Sequence, residues 1–313
     1  MTTVEDTLEE DEYDEFGLLH ENAQEWSLPY PGRPEVGRGS VEVEPGRQLS
    51  FIRWGSGEPE AVLLHGGGQN AHTWDSVLLA LGRPAIAFDL PGHGRSYRRE
   101  DGNYGPWRNV EALETAIGQV APGAAVVVGM SLGGATATHL AAKRPDLCRR
   151  VVIVDVTPQV NDPSRPMTTQ ERGSVALIGG PPTYESFEAM ADAAVALSPY
   201  RAASGVRRGV RHNAYRRADV LWAWRYDLFR PRPDGVDDWS DFVPLWDDVS
   251  AITVPTMLVR GGNSKYVTDG DVAEFRRRLP SVRYEVVDGA GHAVQSDRPL
   301  QLVALVEDFA FGR

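Results

Sequence analysis

Cysteine is almost absent, with Cys148 the single one in 313 residues. An internal disulfide and a cysteine-built zinc cluster are thereby excluded, and a cytoplasmic home is expected. No apolar run approaches the roughly 18 residues of a membrane-spanning helix. Met1 is followed by acids and not by the basic and apolar stretches of a signal peptide. Basic charge is missing from residues 1–25, which hold ten acids and neither Lys nor Arg. Those ten account for most of the net charge of −12, because without them 34 acids face 32 bases. So dense an acid block repels itself and buries little, and residues 1–38 read as a mobile acidic tail followed by a Pro/Gly-rich linker. Outside one arginine-rich stretch no basic stripe exists, which argues against nucleic acid as a partner.

What is present is a repeated strand–helix alternation. Val41-Glu42-Val43 and Leu49–Trp54 alternate in character around Pro45-Gly46-Arg47 and predict a hairpin. Ala61–Leu64, Ala85–Phe88, Ala124–Val128 and Val151–Val154 are short apolar runs bounded by Gly, Pro or Asp. They predict strands buried on both faces, hence a mostly parallel sheet with helices on both sides and right-handed crossovers. Helices fit at Thr73–Leu81, Trp107–Val120, Leu132–Lys143 and Pro299–Phe309, and further strands at Thr256–Val259 and Val282–Val287. The expected division is core at 39–158 and 251–313, with a mainly helical cap at 159–250 over one end of the sheet. That insertion holds four of the eight tryptophans, and Ser198–Gly235 carries nine arginines against three aspartates.

The sharpest chemical signal is Gly129-Met130-Ser131-Leu132-Gly133, with an apolar strand running in and a helix running out. Such an elbow needs glycines two residues either side, so that the strained serine can project its hydroxyl. The helix N-terminus behind it favours developing negative charge. His65-Gly66-Gly67-Gly68 ends the first buried strand, and its backbone can approach a ligand closely. The N–H groups of Gly67 and Leu132 are the expected oxyanion donors. Ser131 also needs a base. His20 lies in the tail, His65 and His93 in Gly-rich turns, His139 too far along a helix, and His72 and His212 suit pocket lining or surface. His292, in Gly289-Ala290-Gly291-His292 after the last strand, lies at the same sheet end as the elbow and is assigned as base. The acid that orients it is chosen among Asp155, Asp269 and Asp271. Asp155 closes the strand after the elbow helix at the catalytic end of the sheet and is preferred. The loop at Arg260–Tyr266, where such an acid is usual, has no carboxylate.

Taken together these residues resemble the α/β-hydrolase superfamily over about 40–158 and 251–313. Asp89-Leu90-Pro91-Gly92-His93-Gly94-Arg95-Ser96 adds to the likeness. The Gly261–Val267 loop and the Gly291-His292 turn resemble a subgroup of small esterases whose acid follows the strand after the elbow helix, and that position is Asp155. The resemblance implies a cofactor-free and metal-free serine hydrolase. An ester or lactone is the expected bond, and a diketone-type C–C bond or a low-turnover ligand receptor the alternative. Met130, Trp222, Trp224 and Tyr226 are the expected substrate-binding residues, and the cap aromatics, Phe229 among them, imply a bulky, partly aromatic substrate. The arginines suit an anionic substrate or docking of the acidic tail. The expected partner is a small molecule, with a homodimer left open and no membrane.

Overall fold

The computed structural model describes residues 13–161, 164–227 and 241–312. Strands β1 (Val36–Glu44) and β2 (Arg47–Trp54) form the hairpin, with β1 beginning inside the stretch read as linker. Next come β3 (Ala61–Leu64), β4 (Ala85–Phe88), β5 (Val126–Met130) and β6 (Val151–Val154). Short strands β7 (Thr183–Tyr184), β8 (Ala214–Arg216) and β9 (Trp222–Trp224) follow, and then β10 (Thr256–Gly261) and β11 (Arg283–Val287). The main sheet has eight strands in the order β1-β2-β4-β3-β5-β6-β10-β11. Neighbours from β4 to β11 are parallel, whereas β2 runs antiparallel to both β1 and β4.

Successive strand residues enter two different cores. Val62, Leu64, Val127, Ile153 and Leu258 face one, and Leu63, Val128, Val152, Val154 and Met257 the other. Both faces are dry, which explains why these strands show no polar alternation. Each fully buried Val, Leu or Ile contributes about 1.5–3 kcal/mol. The helices are α1 (Leu19–Glu25), α2 (Asp75–Leu81), α3 (Pro106–Val120), α4 (Leu132–Lys143), α5 (Thr169–Arg172), α6 (Phe187–Ala196), α7 (Ala203–Asn213), α8 (Leu245–Ala251), α9 (Asp269–Arg278), α10 (Val294–Asp297) and α11 (Pro299–Phe311). Helices α3, α4, α8 and α9 cover the first core, and α1, α2 and α11 the second.

Two boundaries differ from the sequence reading. The stretch expected to form a helical cap contains a small antiparallel sheet, β7-β9-β8, beside its helices. Phe242, Leu245, Trp246 and Val249 pack with the core under α4, so this stretch sides with the sheet layer. Its Trp246, which suggested cap aromatics, stands 6.1 Å from the Phe275 ring of α9. The aromatic residues Phe229 and Trp239, and Arg230 and Arg232, lie outside the described residues.

The second difference concerns residues 13–25, which pack onto the body. The acid density obscured Phe16, Leu19 and Ala23, whose helical spacing buries them all. Glu15 meets Arg38 at 2.5 Å and His72 at 3.1 Å. Glu21 and Glu25 both pair with Arg208 of α7. The described part of the acidic segment therefore does dock on a cap arginine, while residues 1–12 lie outside the described residues. Burial opposes the charge on Glu15, yet His72 and Arg38 hold its carboxyl down at about 2. Burial likewise opposes the His72 imidazolium, but hydrogen bonds to Asp75 and Glu15 push it up to about 9. His72 thus adds stability that is complete below its ordinary value of 6.5 and lost as pH rises through 9. Glu15 adds stability that is complete above 4.5 and lost as pH falls through 2. Thermal melts from pH 6 to 9.5 should show a Tm that falls with pH, and a markedly smaller fall for His72→Phe. Equal slopes for the two proteins would refute a charged His72.

Candidate functional site

Strand β5 runs into Ser131, which holds φ +50° and ψ −118°, a conformation costly for any residue with a Cβ. Helix α4 starts at the next residue. A Cβ on Gly129 would lie 2.2 Å from the Gly133 carbonyl oxygen, and one on Gly133 would lie 2.2 Å from that of Leu64. The glycines flanking the elbow are therefore required by backbone contact. The turn leaves Ser131 on the wall of a cavity of about 420 Å³ that His292 also lines.

Asp155, fully buried at the end of β6, sits in the left-handed region with φ +52°. Its Oδ1 accepts from the Gly261 N–H at 2.9 Å, and its Oδ2 accepts from the Ser264 hydroxyl at 2.5 Å. Oδ2 also meets His292 Nδ1 at 2.7 Å. An ionised carboxylate only accepts, so Nδ1 carries the hydrogen and Nε2 is the basic nitrogen. Nε2 is buried and has no hydrogen-bond partner among the described residues. Ser131 and His292 share the cavity wall, but no hydrogen bond joins them. Such contacts tighten when substrate binds, and a hydroxyl rotates freely. The rival acids are engaged elsewhere: exposed Asp269 pairs with Arg260 at 2.6 Å, and Asp271 caps α9 and pairs with Arg165.

Sequence reasoning missed two neighbours of the imidazole. Ser264 supplies the second donor to Asp155, from the loop searched in vain for a carboxylate. Tyr266 stacks on His292 with ring centroids 3.8 Å apart, and its hydroxyl donates to the Arg172 carbonyl at 3.2 Å. The available signal was positional. With a carboxylate at the end of β6, the loop after β10 lies beside it, and a hydroxyl there can donate to the same oxygen that meets the imidazole.

The glycine loop is held from two sides. His93 is fully buried, and desolvation, helped by nearby His65, keeps its ring neutral down to about pH 3. Its Nδ1–H donates to the Pro91 carbonyl, and its Nε2 accepts from the Gly68 N–H at 3.1 Å. From the cap, Asn213 Nδ2 donates to the Gly68 carbonyl at 2.6 Å. His65 is structural as well, with Nε2 accepting from the Leu90 N–H at 2.9 Å. Gly67 lines the cavity. The N–H groups of Gly67 and Leu132 have no acceptor among the described residues. The Leu132 side chain turns into the core.

Met130, Trp224 and Tyr226 line the cavity, and the last two stack at 5.8 Å. Trp222 does not. It lies one two-residue step, about 7 Å, farther along β9, where Phe187 covers its ring at 5.4 Å. His72, Asp75 and His212 are, among the described residues, the group whose donor atoms lie close enough (within 4.8 Å) to hold a metal ion. The two imidazoles stack at 4.0 Å and 10°, so their in-plane lone pairs run parallel and do not converge on one point. His72 is also bound on both nitrogens by Asp75 and Glu15. The arrangement suits ion pairing, not coordination.

Residues 61–305 match the alpha/beta hydrolase family. Esterase Rv0045c of Mycobacterium tuberculosis is 49% identical over 294 residues, 94% of each chain. A solved structure of that esterase superposes with a TM-score of 0.81 at 47% identity, covering 95% of this chain and 98% of the other. A 2-(acetamidomethylene)succinate hydrolase of Mesorhizobium japonicum is 29% identical over 284 residues, 86% of this chain and 94% of its own. A strained serine elbow, a carboxylate-bound histidine and these relatives agree, and the chain belongs to the alpha/beta hydrolase family.

Proposed function

We propose that the protein is a serine hydrolase that cleaves a carboxylic ester through an acyl-enzyme. The reading rests above all on the 2.7 Å contact between His292 Nδ1 and Asp155, which leaves Nε2 as a base on the cavity that Ser131 shares. In this mechanism Nε2 takes the Ser131 proton as the hydroxyl attacks the carbonyl, and Asp155 stays ionised while it stabilises the imidazolium. The N–H groups of Gly67 and Leu132 receive the oxyanion. Nε2 then returns its proton to the departing alcohol, and water activated at the same nitrogen releases the acid. No step calls for a cofactor. A lactone would follow the same course, with its alcohol retained on the product.

The similarity to an esterase favours this bond class. Trp224, Tyr226 and Met130 on the cavity wall favour a bulky, partly aromatic small-molecule substrate. The single cysteine, Cys148, is free, and so low a cysteine content favours a reducing, cytoplasmic setting.

Ser131→Ala should lower kcat/KM for p-nitrophenyl butyrate by about 10⁴-fold or more and abolish labelling by a fluorophosphonate. Asp155→Asn should cost about 10³- to 10⁴-fold by favouring the wrong tautomer, whereas Asp269→Asn and Asp271→Asn stay within about threefold. A large loss only at 269 or 271 would overturn the choice of acid. Ser264→Ala deletes a hydrogen bond to a charged acceptor and should reduce kcat/KM about tenfold; wild-type rates would deny the hydroxyl any part in holding Asp155.

A further inference from the structure

The cap arginines that the mechanism does not use fall into two groups. Most have visible employment. Arg207 pairs with Asp192, Arg208 with Glu21 and Glu25, and Arg217 with Asp219, while Arg211 lies over the rings of Tyr13 and Trp222. Arg201 stands apart. It lines the active-site cavity just ahead of α7, and no carboxylate among the described residues comes within ion-pair distance. Its hydrogen bond there runs from Nη2 to the Gly205 carbonyl at 3.0 Å, and its Nε is buried without an acceptor.

A guanidinium keeps its charge at any ordinary pH, and surrounding it with protein without a counter-ion is costly. The acids whose fields reach it are Glu25 and Asp297. Glu25 is spent on Arg208, and Asp297 is engaged by the Gly291 N–H at 2.8 Å. Among the exposed residues that line the cavity, Arg172 and Lys265 are positive and Glu171 negative, a balance of one positive charge. Arg201 adds to that lining a cation unpaired among the described residues.

Arg201 also lies close to the chemistry. The ring of adjacent Tyr200 sits against the turn that carries His292: a Cβ on Gly291 would be 2.8 Å from it. Asp297, which accepts from the N–H of Gly291 next to His292, lies near enough to Arg201 for their charges to interact.

We propose that Arg201 receives a carboxylate on the substrate, so that the preferred esters are those bearing one acid group besides the bond to be cleaved. Nη1, which is not among the buried atoms and makes no hydrogen bond among the described residues, can donate to one oxygen of such a group, and the buried Nε–H gains an acceptor when the guanidinium turns toward it. This inference rests on the serine-hydrolase reading for its reaction, but its binding part is separable.

The test compares wild type with Arg201→Met on two matched pairs. Mono-p-nitrophenyl glutarate against p-nitrophenyl valerate places the acid on the acyl side. 4-Acetoxybenzoate against phenyl acetate places it on the alcohol side. In one pair the anionic-to-neutral ratio of kcat/KM should fall by about 10- to 100-fold in Arg201→Met, chiefly through KM, with partial recovery in Arg201→Lys. Unchanged ratios in both pairs would overturn the proposal while leaving ester hydrolysis standing. Calorimetry on the Ser131→Ala protein supplies a readout free of turnover. Glutarate should bind more tightly than valerate, and the added Arg201→Met change should erase the difference. If that binding is found in a protein whose wild type hydrolyses none of the four esters, the anion site holds and the hydrolase reading fails. If glutarate binds no better than valerate and no ratio moves, the anion site fails.

Discussion

The site depends on one buried carboxylate. Asp155 is wholly removed from water, and an ion so placed persists only if its oxygens are filled by donors. The donors come from three separate segments: the Gly261 backbone at the end of β10, Ser264 in the loop beyond it, and His292 in the turn after β11. The sheet order makes this convergence unavoidable. β5, β6, β10 and β11 are consecutive parallel neighbours, in register Met130↔Val154, Val154↔Val259 and Gly261↔Val287. Their carboxyl ends therefore bring Ser131, Asp155, Ser264 and His292 to one rim. The left-handed backbone at Asp155 is tolerable because its side chain is held at both oxygens, and it turns the carboxylate toward β10 and His292.

The other half of the site is positioned by neutral groups. His93 can accept from Gly68 only while its Nε2 is unprotonated, and burial ensures this. Asn213, at the end of α7, holds the same loop through the Gly68 carbonyl. Gly68 thus has both its N–H and its carbonyl committed, and the adjacent Gly67 N–H is left without an acceptor beside the cavity. Asp89 of the same motif anchors the surrounding chain by accepting from the Ala71 and Arg95 N–H groups and pairing with Arg38 at 2.7 Å. Arg38 in turn binds Glu15, so the N-terminal segment is tied to the loops that frame the site.

The parts of this design that were legible share a cause. Strands buried on both faces leave unbroken apolar runs, and an elbow whose flanking Cβ atoms would collide with backbone must show Gly129 and Gly133. Helix α4 was readable to the residue because Ser131 and Lys143 bound it. His292 followed from its place after the last strand. What escaped has causes too. The packing of residues 13–25 was masked by charge, although Phe16, Leu19 and Ala23 carry the helical period. Trp222 and Trp224 share a strand face, so periodicity could not say that only the second reaches the cavity. Ser264 and Tyr266 carry no motif and acquire meaning only once the acid is placed on β6.

The charges of the cap and of the N-terminal segment are best understood together. An arginine-rich element above an active site would, if wholly unpaired, repel itself and attract any anion indiscriminately. Glu21 and Glu25 reach across from α1 and neutralise Arg208, which is buried on α7. Arg201 lies seven residues earlier and makes no ion pair with either of them; the charge of Glu25 reaches it only at longer range. With Arg208 paired, Arg201 is left as a cation without an ion-pair partner among the described residues, in a cavity where low-dielectric walls strengthen its field. The acidic character that made this segment look detachable is thus what allows it to shape the electrostatics of the site.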